Sequence, residues 1–325
     1  MPVSNMIESI RDALGIALAA DDDLLILGED VGRYGGVFRA TEGLQERYGP
    51  DRVIDMPLAE SSIIGAAIGL ALEGYKPVCE IQFLGFLYPG FEQLISHVSR
   101  IRYRTQGDYG MSMVIRAPMG SGVKSHELHS DSFESFYVHI PGIKVVVPSN
   151  PYDAKGLLLA AIDDPDPVIF LEPTALYRAE REEVPAEIYQ IPLGAAKLVR
   201  EGQDLTMIAW GGMVPVVKEA AVQLVEDQIQ CEIIDIRSLY PFDQDLIVQS
   251  VKKTGRVIVV HEAPRTLGVG AEVAAMIQEQ AFLFLEAPIM RVTGYDVPTP
   301  LGALEHVNRP DVNRIKKAVQ QVLHY

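Results

Sequence analysis

Three groups of residues have the types and spacing to do chemistry. Glu60 stands where the strand-like run Arg52-Val-Ile-Asp55 gives way to an apolar helix, with Ile63, Ile64, Ala67, Ile68, Ala71 and Leu72 at helical spacing. Gly65, Ala66 and Gly69 lie between them, so the spacing predicts a helix packed on most sides. A carboxylate at such a helix start either caps free N–H groups or, turned into a cavity, grips the ring nitrogen of a cofactor. The second group is the aromatic stretch Phe83-Leu-Gly-Phe86-Leu-Tyr-Pro89, which serves equally as core filler or as the wall of a site. The third is the polar, glycine-containing stretch from Gly120 to Ser132 with His126 and His129, a long loop of the kind kept for binding or catalysis.

Other chemistries fail on spacing. A zinc helix needs its histidines at i and i+4, whereas His126 and His129 are separated by Glu-Leu alone. Gly120-Ser-Gly-Val-Lys124-Ser125 lacks the adjacent Gly-Lys-Ser/Thr of a phosphate loop, and Gly268-Val-Gly270-Ala-Glu-Val lacks the third glycine of a dinucleotide fingerprint. There is no Gly-x-Ser-x-Gly elbow.

The elements that must position these groups follow from length and pattern. A chain of 325 residues exceeds one typical core and suggests two α/β domains. A helix over residues 4–20 and a buried strand Leu24–Leu27 lead to Gly28-Glu29-Asp30, acids at a strand's carboxyl end, where sites collect in open α/β sheets. Strands at 52–55, 77–82, 113–116, 144–147 and 168–171 alternate with helices, including 90–104 and 152–162, and predict a mostly parallel sheet. Charge runs and prolines without sustained period mark a linker, taken as residues 186–203 between domains of 1–185 and 204–325. The second unit repeats the alternation with strands at 205–209, 231–235, 257–260 and 289–292 and ends in a helix over 312–325. Cys79 and Cys231 lie in apolar strands and are expected to be buried free thiols.

A net charge of -16 argues against a nucleic-acid ligand and favours a basic protein partner. No stretch approaches the roughly 20 apolar residues of a membrane span, and the first residues carry neither a basic region nor an apolar signal core. A cytoplasmic protein with no membrane partner is expected.

The motifs together resemble a known family. Pro57-Leu-Ala-Glu60-Ser, Glu80-Ile-Gln82-Phe with Phe86 and Pro89, Arg102-Tyr-Arg104, Glu127-Leu-His129-Ser-Asp-Ser, Pro141-Gly-Ile-Lys-Val-Val, Asp153-Ala-Lys-Gly-Leu and Phe170-Leu-Glu-Pro are similar to the β subunit of thiamine-diphosphate-dependent E1 components of 2-oxo acid dehydrogenase complexes. Leu176-Tyr-Arg, Lys253-Thr-Gly-Arg, His261-Glu-Ala-Pro, Leu285-Glu-Ala-Pro and Arg291-Val-Thr-Gly-Tyr-Asp extend the likeness over nearly the whole chain.

The resemblance implies two doubly wound α/β domains, a pyrimidine-binding thiamine-diphosphate fold and a smaller transketolase C-terminal-like domain. It implies that Glu60 hydrogen-bonds the pyrimidine ring nitrogen and favours the imino form, whose exocyclic nitrogen removes the thiazolium C2 proton. It assigns Phe86 to stacking on the pyrimidine, Leu58 and Gln82 to the same pocket, and His129 to the substrate carboxylate or to acyl transfer onto a lipoyl group. His126 departs from many relatives. Met113, Ala161, Asp164 and Asp166 correspond to a structural potassium site of some relatives. The family anchors the diphosphate and its magnesium through Gly-Asp-Gly followed at a distance by Asn, and Gly107-Asp-Tyr does not supply it. The resemblance therefore implies a separate α subunit in an α2β2 assembly, and a basic docking domain of the E2 acyltransferase meeting Glu279, Glu286 and the chain end at Tyr325. The substrate stays open: the Glu127–Ser132 loop leans toward pyruvate relatives, whereas Phe170–Pro173, Trp210 and Tyr295-Asp lean toward branched-chain 2-oxo acids. An acetoin-cleaving E1, a split transketolase-like subunit and a non-catalytic assembly protein are the alternatives.

Overall fold

The computed structural model describes residues 2 to 325. Its strands are β1 (Val3–Ser4), β2 (Leu24–Gly28), β3 (Val53–Asp55), β4 (Lys76–Glu80), β5 (Val114–Met119), β6 (Lys144–Val146), β7 (Val168–Pro173), β8 (Glu182–Glu183), β9 (Lys197–Arg200), β10 (Leu205–Ala209), β11 (Cys231–Asp235), β12 (Ser238–Tyr240), β13 (Val257–Pro264) and β14 (Met290–Gly294). Seven form one sheet in the order β12-β6-β7-β5-β4-β2-β3 and five form another in the order β14-β13-β10-β11-β9, while β1 and β8 pair separately. Within the two larger sheets only β12 against β6 and β9 against β11 run antiparallel. Both sheets are covered on two faces, so their strands read as continuous apolar runs.

Local chemistry fixes the helix boundaries. Asn5 and Glu8 form a reciprocal capping box at the start of the Met6–Ala20 helix. Asn150 caps the Pro151–Asp163 helix, with proline at its first position. Those two helices pack on one face of the larger sheet through Ile10, Leu14, Leu157 and Leu158, while the Glu60–Leu72 helix covers the other through Ile63, Ile64 and Ala67. Cys79 and Cys231 are free and buried, and burial pushes both thiols up to about 12.

Three expectations are modified. The stretch 186–203 contains β9, which pairs with β11, so the connection ends as an edge strand of the second sheet. Residues 90–104 do not form one helix: a wide turn over Leu94–Val98 separates short helical pieces. The Glu60–Leu72 helix is not packed on most sides; Ser62, Ala66 and Gly69 are exposed, and space is open at the Cβ positions of Gly65 and Gly69. Its apolar spacing marked one buried stripe, and the small residues fill the face that this chain leaves bare.

The two sheets are not independent. β12 follows the second sheet's β11 in sequence but adds to the edge of the first, and one apolar core runs from Ile115 and Val147 to Trp210, Ile236 and Val273. The first sheet is also tied by charge. Arg116 on β5, 1% exposed, donates to Glu80 on β4 at 2.8 Å and to Glu172 on β7 at 2.7 and 3.1 Å. Burial raises the Glu80 carboxyl against the pull of Arg116. Removing the cation strands two carboxylates in the core, so Arg116→Met should cost about 3–5 kcal/mol in chemical denaturation, the scale of a broken buried ion pair.

Candidate active site

Strand order reverses between β2 and its neighbours: β2 leads to β3 on one side, whereas β4 pairs on the other. The crevice beyond the carboxyl ends of such strands is where open α/β sheets hold ligands, and the Glu60 helix start, the Phe86 turn and the His129 loop meet there. Glu60 is the first residue of its helix and is half-buried rather than buried. Among the described residues no side chain caps this helix, so the capping role does not account for Glu60. The Ser61 hydroxyl bonds the Pro89 carbonyl and docks the helix start on the Leu84–Gly90 turn, which carries Phe86.

That turn builds an aromatic wall. Phe83 packs edge-on to Phe86 at 5.5 Å between ring centroids, and the His129 ring lies 4.4 Å from Phe83 and 5.0 Å from Phe86. Phe86 and His129 are both half-buried, so each offers a face to the crevice. The His129 Nδ1 is 2.9 Å from the Glu127 carbonyl, and this contact leaves Nε2 to face outward chemistry. Gly85 is required beneath the loop, because a Cβ there would sit 2.3 Å from the Leu128 carbonyl oxygen. Gln82 is half-buried at the end of β4, and Leu58 is 73% exposed in the loop before Glu60. His126 is exposed, with its ring 6.3 Å from that of His129. No group of three or more His, Cys, Asp or Glu side chains among the described residues is arranged to hold a metal ion.

Residues outside the expected set also belong here. Glu29, directly after β2, has its carboxyl raised by burial and, more weakly, by the negative charges of Asp30 and Glu60. Its position at a strand's carboxyl end was the available signal. Phe38 joins the wall, 5.4 Å from Phe83 and 5.0 Å from Tyr177, whose hydroxyl donates to Glu172 at 2.6 Å. The wall thus rests on the buried Arg116 group, a long-range connection that no local pattern encodes. Tyr88 donates to Asp131 at 3.0 Å and ties the aromatic turn to the histidine loop.

Met113, Ala161, Asp164 and Asp166 come together away from the crevice. Lys144 Nζ contacts both Asp164 carboxylate oxygens at 2.7 Å and Asp166 at 3.7 Å. The carbonyls of Met113, Ala161 and Asp164 each accept one bond, from Val168 N–H, Asp164 N–H and the Ser112 hydroxyl.

The fold and crevice agree with what the chain matches. Residues 4–180 match the family described as transketolase, pyrimidine binding domain, and residues 194–315 match transketolase, C-terminal domain. Similar proteins include a pyruvate dehydrogenase E1 component subunit beta from Acholeplasma laidlawii, 49% identical over 99% of this chain and 98% of its own length. A Bacillus subtilis (strain 168) protein of the same description is 49% identical over the full length of both. This chain belongs to the E1 β-subunit family. A solved structure described as split gene transketolase, inactive beta4 tetramer, superposes with a TM-score of 0.81 over 98% of each chain; at 23% identity it shows the fold alone. Within the E1 β-type fold, His261 is a buried neutral ring: it stacks on Trp210 at 5.0 Å, and burial lowers it to about 3. Gly268 and Gly270 pack against that ring, which explains the glycine pair that fails as a dinucleotide motif.

Between the domains, Glu134 is fully buried, accepts the Trp210 indole N–H at 3.1 Å, and has its other oxygen unpartnered among the described residues. Burial pushes its carboxyl up to about 7 from an ordinary 4.5. Between those values the folded state holds a proton that the unfolded chain lacks, so this group's contribution is favourable at low pH and is lost as pH rises through 7. Glu134→Gln should therefore be more stable than the parent at pH 8 by roughly 1–3 kcal/mol in denaturant melts, with the difference vanishing toward pH 4.5.

Proposed function

We propose that this chain is the β subunit of a pyruvate-decarboxylating E1 that uses thiamine diphosphate and passes the acyl group to the lipoyl group of an E2 acyltransferase. The observation that carries this reading is the meeting of an uncapped helix-start carboxylate, an aromatic wall and a loop histidine at the sheet's switch point. The residues fit an uncharged aromatic ring bearing a basic nitrogen: Glu60 supplies a carboxylate, Phe86 an exposed aromatic face, Leu58 and Gln82 the flanks. When bound, thiamine diphosphate supplies the electron sink for decarboxylation. Glu60 would hold the proton shared with the ring nitrogen. His129 Nε2 would meet the substrate carboxylate or the acyl acceptor, and Phe83, Phe86 and Phe38 exclude water from that side.

Pyruvate is favoured over branched-chain acids because the full-length relatives at 48–49% identity bear the pyruvate dehydrogenase description. Glu60→Gln keeps the shape but loses the charge, and should lower 2-oxo acid decarboxylation at least about 10²-fold while the assembly with an α subunit forms normally. His129→Ala in the same assays should impair transfer to a lipoyl domain more than decarboxylation read with an artificial electron acceptor; equal losses would remove the acyl-transfer role.

The gathered residues include no Lys or Arg for a diphosphate, and the Glu60 helix presents its bare face of Ser62, Ala66 and Gly69 beside them. An α subunit covering that face and bringing magnesium would complete the site. For E2, Glu279 and Tyr325 are exposed, and Glu286 is already paired with Arg256 at 2.6 Å, so a basic partner would compete with Arg256 for it. For potassium, Lys144 neutralises Asp164 and Asp166, leaving the second lone pairs of the Met113, Ala161 and Asp164 carbonyls as ligands. Binding measurements check all three: calorimetry should show weak thiamine diphosphate binding by the isolated chain, E2 affinity should fall steeply with salt, and potassium but not sodium should raise Tm.

A further inference from the structure

The loop that carries His129 is held by the other domain. Its backbone enters the left-handed region at Gly120, Gly122, Lys124 and Leu128, with φ of 78°, 137°, 51° and 68°, and a Cβ on Gly122 would lie 2.7 Å from the Ala175 Cα. Such a path needs external support, since two of the four residues are not glycine. Within its own domain the Thr174 hydroxyl lies 3.2, 3.0 and 3.1 Å from the carbonyls of Met119, Gly120 and Ser121, and the backbone N–H groups beyond are met by two carboxylates far along the chain. Glu305, 5% exposed, accepts the backbone N–H groups of Gly122 and Lys124, the latter at 2.7 Å, and the Ser130 hydroxyl at 3.4 Å. Glu262 accepts the Ser121 N–H at 3.0 Å and its hydroxyl at 2.8 Å, while Arg309 holds its other oxygen at 3.2 Å. The Gly302 N–H reaches the Ser125 carbonyl at 3.4 Å, and the Thr299 hydroxyl reaches Asp131 at 3.5 Å. Past Lys124 the bonds of His126, Glu127 and His129 stay within the loop.

We propose that Glu305 is a positioning residue: its carboxylate, gripping the loop on both sides of the histidines through Gly122, Lys124 and Ser130, sets where the His129 ring stands against Phe83 and Phe86. The inference rests on the proposed role of His129. Bonds from backbone N–H to a carboxylate are charge-assisted and stronger than neutral ones, so one buried side chain of the second domain adds a directional hold to the packing of His129 on Phe83 and Phe86. Segment 299–309 and the histidine loop then move as a unit, and displacement of the second domain is felt at the site.

The test uses the assembled enzyme with its α subunit and two readouts. The first is limited trypsin digestion, with cleavage after the exposed Lys124 followed by mass spectrometry. Glu305→Ala should speed that cut by about tenfold, the scale of losing a hydrogen bond to a charged group, and Glu305→Gln, which keeps one acceptor, should fall between. The second is a double-mutant cycle on acyl transfer. Glu305→Ala alone should lower kcat by about tenfold with KM for the 2-oxo acid unchanged, and should add no further loss in a His129→Ala background. Unchanged cleavage, or losses that multiply, would overturn the proposal. Should Glu305→Ala fail to assemble, Glu305→Gln carries both tests in the same directions at a smaller magnitude, and unchanged cleavage or losses that multiply overturn the proposal there too. If His129→Ala by itself leaves acyl transfer intact, the proposed role of His129 has failed, and the trypsin result alone decides whether Glu305 holds the loop.

Discussion

The buried Arg116 group is the constraint on which the site's geometry depends. A guanidinium with no access to water must have its donors matched by fixed acceptors, and Glu80 and Glu172 provide them from the two strands on either side of β5. The three strand ends are thereby locked where the crevice begins. The Glu172 carboxylate also accepts the Tyr177 hydroxyl, Tyr177 supports Phe38, and Phe38 packs on Phe83, so the wall against which His129 stands inherits its position from the ion group. The arrangement spends charge in the core to obtain directional bonds, which apolar contacts do not provide.

A second layer of control comes from the domain junction. The histidine loop packs on the aromatic turn of the first domain, and the carboxylates of Glu262 and Glu305 meet backbone N–H groups at its start from the second. Antiparallel addition of β12 to the first sheet and the core shared through Trp210 keep the two domains in fixed register. A site at this junction is as rigid as the junction itself.

The crevice adjoins a helix face that this chain leaves open. Its acids, aromatics and histidine suit the ring of a cofactor, yet the adjoining helix turns small residues outward and leaves them uncovered by this chain. Under the proposed function, that bare face is where an α subunit would sit.

Sequence by itself determined the α/β alternation, because strands covered on both faces must be apolar throughout and their connecting helices must show a 3.6-residue stripe. It also singled out Glu60, Phe86 and His129 as candidates, since motifs built of rare types at fixed spacing are legible without coordinates. It misjudged the Glu60 helix as packed on most sides, because small residues look alike in sequence whether they meet a neighbour or stay exposed. It read the end of the 186–203 stretch as linker, because the short edge strand β9 alternates too briefly to show a period. Only tertiary structure decided that Arg116 sits between two carboxylates and that Glu305 reaches back to Gly122 and Lys124. Each of these joins residues distant in sequence through hydrogen bonds or charge, and such pairings leave no periodic trace along the chain; they come into being only when the sheets close and burial makes an unpaired polar group costly.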